Sequence, residues 1–328
     1  MNSIKIAVLD TGLDMEDSEI KKFCTFNKSL QLEMPNINIQ CMSDLNGHGT
    51  LVAKTIVNVC NNVEILPVKI FNESGRTNSY NTILALEKIL NSDVKLINIS
   101  ASTFDYTYKN EFENVCDKLK KSKKIVICSK HNNKNLGDSI PTIFESVIGV
   151  EGHRNIYENS KYLYKSNKKV QMSANSKECF MKFKDKVTYF GKNSKACAVA
   201  TGIIANLIQC EPDINISELE KIIIETSCSE KDLQINTAIN INDKSLLDIK
   251  YNVLNIINTN FSINKVNLDF IEKYGLMNNA TNIYKHNAYD FLEKINNYFN
   301  IKIHYTDIFL YQLSDINNLS MIISMYLN

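Results

Sequence analysis

In residues 5–12, Lys5-Ile6-Ala7-Val8-Leu9-Asp10-Thr11-Gly12, the chain is apolar from Ile6 to Leu9 and then stops on a carboxylate followed by a turn dipeptide. A run without polar alternation predicts a strand buried on both faces, and its abrupt end places Asp10 at one edge of a sheet. Four further runs repeat the pattern: Val63 to Ile70, Val94 to Ile99, Lys124 to Cys128 and Val147 to Val150. Between them, Gly49 to Asn58, Ser79 to Leu90 and Asn110 to Lys121 space their apolar residues three or four apart, as amphipathic helices do. To about residue 215 the alternation therefore predicts an α/β fold, a parallel sheet with helices on both faces. Such sheets bind ligands at the carboxyl ends of their strands, so the residues just after each run are where chemistry is expected.

Composition narrows the function classes. The chain has 328 residues, 44% hydrophobic, enough for one large core and a small second module. Lys plus Arg is 37 against Asp plus Glu at 36, a balance that gives no electrostatic footprint for nucleic acid or an anionic membrane. Nine cysteines with no Cys-x-x-Cys pair fit neither a zinc site nor a secreted disulfide framework, and they read as reduced, mostly buried thiols. The first residues, Met1 to Gly12, lack the regions of a signal peptide, and no run reaches the roughly 18 apolar residues of a membrane span. The expected location is the cytoplasm.

Beyond residue 229 cysteine disappears, and Leu246 to Asn328 reads as several helices rich in Asn, Ile and Leu. A boundary is expected at 230 to 245, separating a first domain, 1–235, from a small all-α module, 246–328. The cluster Lys118, Lys120, Lys121, Lys123 and Lys124 reads as a solvated helix end ahead of a buried strand.

Three segments carry side chains suited to acyl transfer, which needs a hydroxyl, an imidazole, an orienting carboxylate and donors for an oxyanion. Asn46-Gly47-His48-Gly49-Thr50 sets an imidazole at the mouth of a helix between two glycines, where backbone and substrate can approach closely. Asp10 supplies a carboxylate, although Asp-Thr-Gly after a strand is also an ordinary turn. Ser194, in Lys192-Asn193-Ser194-Lys195-Ala196-Cys197-Ala198, precedes a small-residue helix, where a serine serves equally as a cap.

Taken together, these segments resemble the subtilisin-like serine peptidase (subtilase) family over residues 4 to about 210. The order Asp, His, Ser is that of subtilisin. Asp10-Thr11-Gly12 matches the first family motif. Asp44 to Ala53 matches Asp-x-Asn-Gly-His-Gly-Thr-x-Val-Ala without a gap, and Ser194, Ala196 and Gly202 match the third motif in part. The resemblance implies Asp10, His48 and Ser194 as a catalytic triad. Ile125 to Asn132 is similar to the segment ending in the oxyanion asparagine, which implies that role for Asn132. Val94 to Ser100 is similar to the strand whose following residues pair with bound peptide, so Ser100, Ala101 and Ser102 would flank the substrate backbone. Lys130 and His131 stand where relatives have an Ala-Gly pair lining the primary specificity pocket, which implies a reshaped pocket. Lys192 and Asn193 replace Gly-Thr, Ala198 replaces a proline and Val199 a common histidine. No metal or organic cofactor is implied, nor maturation by prodomain removal.

The implied function is an intracellular serine endopeptidase of restricted specificity, removing a leader or cutting a partner protein. The alternative is a protease-like peptide-binding protein with little turnover. Residues 246–328 bear a faint resemblance to an acyl-carrier-protein bundle, chiefly in Ala288 to Ile303. Tyr284-Lys285-His286 stands where the modified serine would be, so a degenerate module that docks a protein partner, or a plain helical appendage, is expected. His286 and His304 read as surface histidines.

Overall fold

The structure is a computed structural model that describes residues 3–24, 43–210, 214, 216–233 and 244–327. It divides into two compact units, Met1–Ser176 with Gly191–Gln234, and Lys177–Phe190 with Ile235–Asn328. Residues 234–243, within the expected boundary, lie outside the described residues.

In the first unit, β1 (Ile4–Asp10), β2 (Val63–Lys69), β3 (Leu96–Ile99), β4 (Ile125–Ser129), β5 (Val147–His153), β6 (Leu163–Tyr164) and β7 (Met172–Asn175) form a sheet in the order β2-β1-β3-β4-β5-β7-β6. Every pairing is parallel except β6 with β7. The chain turns outward from β1 to β2 and then returns to the other side of β1 for β3, so the topological switch lies between β1 and β3. Register aligns the strand ends there. Leu9 pairs with Ile99, Ile99 with Cys128 and Ser129 with Val150, which brings Asp10, Ser100 and Ser129 level along the carboxyl edge.

Strand side chains alternate between two helical layers. Ala7, Leu9, Ile97, Ile99, Val126 and Cys128 pack with Ile83, Leu86 and Ile89 of α2 (Ser79–Ile89) and Phe112, Val115 and Leu119 of α3 (Lys109–Lys121). The opposite face is covered by α1 (His48–Val59) and α4 (Lys192–Cys210), which pack on each other. From Ala196 to Ala200 α4 is buried, and its small side chains let the helix lie close to the sheet. Of the lysine cluster, Lys118, Lys120, Lys121 and Lys123 are exposed, whereas Lys124 is buried and its ammonium donates to Val94 O at 2.9 Å.

The second unit contains a hairpin, β8 (Cys179–Phe183) and β9 (Lys186–Phe190), together with α6 (Lys244–Asn260), α7 (Leu268–Tyr274), α8 (Ala288–Phe299), α9 (Leu310–Leu313) and α10 (Ile316–Leu327). A further helix, α5 (Ile216–Thr226), belongs to the first unit. The hairpin is inserted in the chain between β7 and α4, yet it is part of the helical unit's core. Phe180 is buried with Val253, Ile271, Phe291 and Ile308, its ring meets Tyr289 edge-on, and Leu310 N donates to Glu178 O at 2.9 Å. His286 and His304 are exposed.

Because the Phe180 side chain has nowhere to relax within that core, Phe180→Ala is expected to destabilise the second unit by about 3–5 kcal/mol. Urea unfolding followed by tyrosine fluorescence measures this, and an unchanged midpoint would contradict the hairpin's place in the core.

Candidate active site

Asp10 sits at the end of β1, 1% exposed, where the strand's neighbours exclude water. Its Oδ1 accepts the Thr11 N–H at 2.8 Å and lies 2.8 Å from His48 Nδ1, with Oδ2 at 2.9 Å from the same nitrogen. A carboxylate accepts only, so Nδ1 carries its proton toward Asp10 and, in the neutral ring, Nε2 is left as the basic nitrogen. Burial works to lower the His48 pKa. The charge of Asp10, the hydrogen bond to it and the more distant Asp44 charge outweigh that effect and hold the imidazole above its ordinary value of 6.5.

The loop that delivers His48 is built around Asp44, also 1% exposed. Its Oδ1 accepts from Thr11 Oγ1 at 2.9 Å, Asn46 N at 3.0 Å and Gly47 N at 2.7 Å, while Oδ2 accepts from Thr50 N at 3.0 Å and Thr50 Oγ1 at 2.8 Å. Thr11 Oγ1 in turn accepts the Gly49 N–H at 2.9 Å, joining the turn after β1 to the start of α1. Gly47 caps that helix with φ 99°, a left-handed conformation costly for any residue with a Cβ. At Gly49 a Cβ would lie 2.2 Å from Gly12 O, so only glycine lets the helix approach β1 closely enough for His48 to reach Asp10. Lys54, on the same helix and buried, pairs with Asp17 at 2.7 Å and Glu19 at 3.0 Å and holds α1 against the segment after β1.

Ser194 lies in the first turn of α4, 9% exposed, and its hydroxyl donates to Ser100 O at 3.2 Å. The helix is tied to β3 by Asn98, a fully buried polar residue in an apolar strand. Its Nδ2 donates to Thr201 Oγ1 at 2.8 Å and its Oδ1 accepts from Ser100 Oγ at 2.9 Å. Cys197, one turn on from Ser194, is fully buried, and that burial raises its thiol pKa well above the ordinary value. Lys192 holds φ 61°, the left-handed conformation suited to the glycine of relatives.

Asn132 Oδ1 accepts the Asn193 N–H at 3.3 Å. Beside it, Lys130 Nζ pairs with Glu151 at 2.8 Å, and the His131 ring packs edge-on against Phe104 with centroids 4.6 Å apart. Ser100, Ala101 and Ser102 lie beyond the end of β3 in no strand, and among the described residues the N–H groups of Ala101 and Ser102 have no partner. Thr103 closes this open segment by exchanging two backbone hydrogen bonds with Ile140, each 2.9 Å. The residues singled out from the sequence thus gather at the carboxyl edge of β1, β3 and β4. Sequence reasoning gave no role to Asp44, Asn98 or Asn193. The first opens the motif Asp44 to Ala53, and the second interrupts an apolar strand, which is a legible signal of a buried polar tie. Among the described residues no group of His, Cys, Asp and Glu side chains could hold a metal ion, and no helix is long and apolar enough to cross a membrane.

The sign of the His48 shift sets its pH behaviour. With the folded pKa raised, the Asp10 pairing stabilises the fold fully below the ordinary value of 6.5 and is lost as pH rises through the folded pKa. In an NMR titration His48 is expected to titrate above 6.5, and Asp10→Asn to lower its midpoint; a parent midpoint below 6.5 would contradict the geometry.

A search of curated protein sequences finds no match. Among solved structures, a cold-adapted subtilisin-like serine proteinase is similar with TM-score 0.56 at 18% identity, covering 68% of this chain and 82% of that one. A lanthipeptide protease is similar with TM-score 0.51, also at 18% identity, covering 70% of this chain and 77% of that one. The sequence model of the subtilase family, Peptidase_S8, matches residues 1–260, and with the sheet, the strand-edge constellation and this match in agreement, the chain belongs to the subtilase family of serine peptidases.

Proposed function

We propose that this serine endopeptidase uses Asp10, His48 and Ser194 as its triad and Asn132 as its side-chain oxyanion donor. The observation that carries the reading is the buried Asp10 carboxylate held 2.8 Å from His48 Nδ1 at the topological switch of the sheet. His48 Nε2 takes the proton of the Ser194 hydroxyl as Oγ attacks the peptide carbonyl, and Asp10 holds the tautomer and stabilises the imidazolium. The oxyanion receives hydrogen bonds from Asn132 Nδ2 and the Ser194 N–H. The protonated imidazole then passes its proton to the leaving amine. Water, deprotonated by the same ring, releases the acyl group. An O–H has one proton to donate, so the resting bond to Ser100 O must be given up as the hydroxyl turns to His48.

Restricted specificity is supported by the Lys130–Glu151 pair and the His131–Phe104 contact, which place bulk where relatives carry Ala-Gly. The unpaired N–H groups of Ala101 and Ser102 suit an extended peptide added as a strand. Removal of a leader from a ribosomally made peptide, or cleavage of a partner protein, is the substrate class we favour, and the fold of a lanthipeptide protease is in keeping with it. Free thiols at Cys60, Cys116, Cys128 and Cys197 support a reducing, cytoplasmic setting. Tyr284-Lys285-His286 offers no hydroxymethyl group for a phosphopantetheine arm, so for the second unit we keep a plain helical appendage, with docking of a protein partner as the alternative. The inward-turned Ser194 hydroxyl favours the alternative of a peptide-binding protein with little turnover.

Labelling by a fluorophosphonate probe separates the two readings. The parent is expected to be labelled and Ser194→Ala not, with Asn132→Ala slowing labelling by about 100- to 1,000-fold. A folded parent that resists the probe would leave the binding protein as the better reading.

A further inference from the structure

Asn193, which has no assigned role, is hydrogen-bonded to the segment that carries Asn132 and to β5. Its carboxamide Oδ1 accepts the Gly152 N–H of β5 at 2.9 Å, and its Nδ2 donates to Lys130 O at 2.9 Å and to His131 O at 3.4 Å. These are the two carbonyls of the chain leading into Asn132. From the other side, the Asn193 main-chain N–H donates to Asn132 Oδ1 at 3.3 Å. One residue therefore holds the backbone approach to Asn132 and also decides which way its amide faces.

The amide direction matters because an asparagine side chain can present either its oxygen or its NH2 to the same point. With Oδ1 engaged by a main-chain donor, Nδ2 is the other arm of the planar amide, turned away from the Asn193 N–H and able to donate to a developing negative charge. The chemistry explains why a carboxamide stands here. The site offers one N–H donor and two carbonyl acceptors. A side chain that both accepts and doubly donates satisfies all three, which a threonine hydroxyl with its single proton cannot. Gly152 leaves room for this arrangement, since a Cβ there would lie 3.3 Å from Asn193 Oδ1 and 2.3 Å from the Ser176 side chain.

We propose that Asn193 is a positioning residue for the hydrolytic reaction, its carboxamide locking the Lys130–Asn132 segment to β5 so that Asn132 Nδ2 faces the oxyanion. This rests on the assignment of Asn132 as oxyanion donor. The hydrogen bonds of Asn193 go to Gly152, Lys130, His131 and Asn132, so it acts through Asn132. It also links the reshaped residues Lys130 and His131 to the site, since any change in their course must pass through the two carbonyls that Asn193 holds.

A double-mutant cycle on the full chain tests this, with saturation labelling by a fluorophosphonate probe giving a limiting rate and a half-saturation concentration for each protein. Asn193→Ala removes all three side-chain bonds. Asn193→Asp keeps the size and the Gly152 acceptor but turns an oxygen toward Lys130 O and His131 O. Each is expected to lower the limiting rate by about 10- to 100-fold while changing half-saturation less than about 3-fold. Added to Asn132→Ala, either should slow labelling less than about 3-fold further, because the group through which Asn193 acts is already gone. Full multiplication of the two losses would overturn the proposal, as would single variants labelled at the parent's rate. Loss of the thermal unfolding transition in both would also overturn it, the carboxamide then being an element of the fold. If Asn132→Ala alone labels like the parent, the oxyanion assignment itself fails and takes this inference with it.

Discussion

The buried Asp44 carboxylate is the constraint on which the site depends. It touches no reacting group, yet five donors converge on it from the turn after β1, the loop before α1 and the first turn of that helix. Each donor is a group that would otherwise be orphaned at a helix start or in a tight loop, and burial without a partner costs about 1–3 kcal/mol for such groups. Their convergence fixes the rotation of α1 about its own axis. That rotation, with the close passage of Gly49 over Gly12 O, is what places the His48 ring within hydrogen-bond distance of Asp10. The salt bridges from Lys54 to Asp17 and Glu19 hold the same helix one and a half turns further on.

A second fixed frame holds Ser194. Helix α4 crosses the sheet on alanines and other small side chains, and Asn98 reaches up from β3 to Thr201 while receiving Ser100 Oγ. The buried Asn98 amide thus connects the helix bearing Ser194 with the segment proposed to pair with peptide. Removing Asn98 would take the acceptor from the buried Ser100 hydroxyl and a donor from Thr201 Oγ1, so the loss is one of buried hydrogen-bond partners and not of volume alone. The strand ends are brought level by parallel register, so two frames built on different strands meet at one edge without any loop having to span a long distance.

Strands β1 to β5 and the helices α1 to α3 were legible because apolar strand runs and 3.6-residue periodicity leave strong local marks. Helix α1 begins at His48 and ends at Val59, within a residue of the segment read from spacing alone. Asp10 and His48 were legible as chemistry because a carboxylate at a strand end and an imidazole between glycines are unusual locally. Asn193 was visible only as a departure from a familial threonine. Nothing in Lys192-Asn193-Ser194 indicates that its carboxamide meets Gly152, 41 residues earlier, and Lys130 O, 63 residues earlier. The hairpin Cys179–Phe190 was not legible as a part of the second unit for a related reason. Its residues Cys179 to Phe183 alternate burial weakly, and its partners, Phe309 and Leu310, lie more than a hundred residues away.

By itself, then, the sequence determined the order of β1 to β5 with their intervening helices, the α/β class, the family and the residue types available for chemistry, since each of these follows from local pattern and motif. The tertiary structure alone decided which carboxylate organises the loop before His48, which way the Ser194 hydroxyl points at rest and how an asparagine beside the serine holds the strand end opposite. It also decided that a hairpin leaving the sheet after β7 joins the core of the helical unit. These depend on hydrogen bonds and packing between residues far apart in the chain, whose partners are chosen by geometry rather than by neighbours in sequence, and local preference carries no record of them.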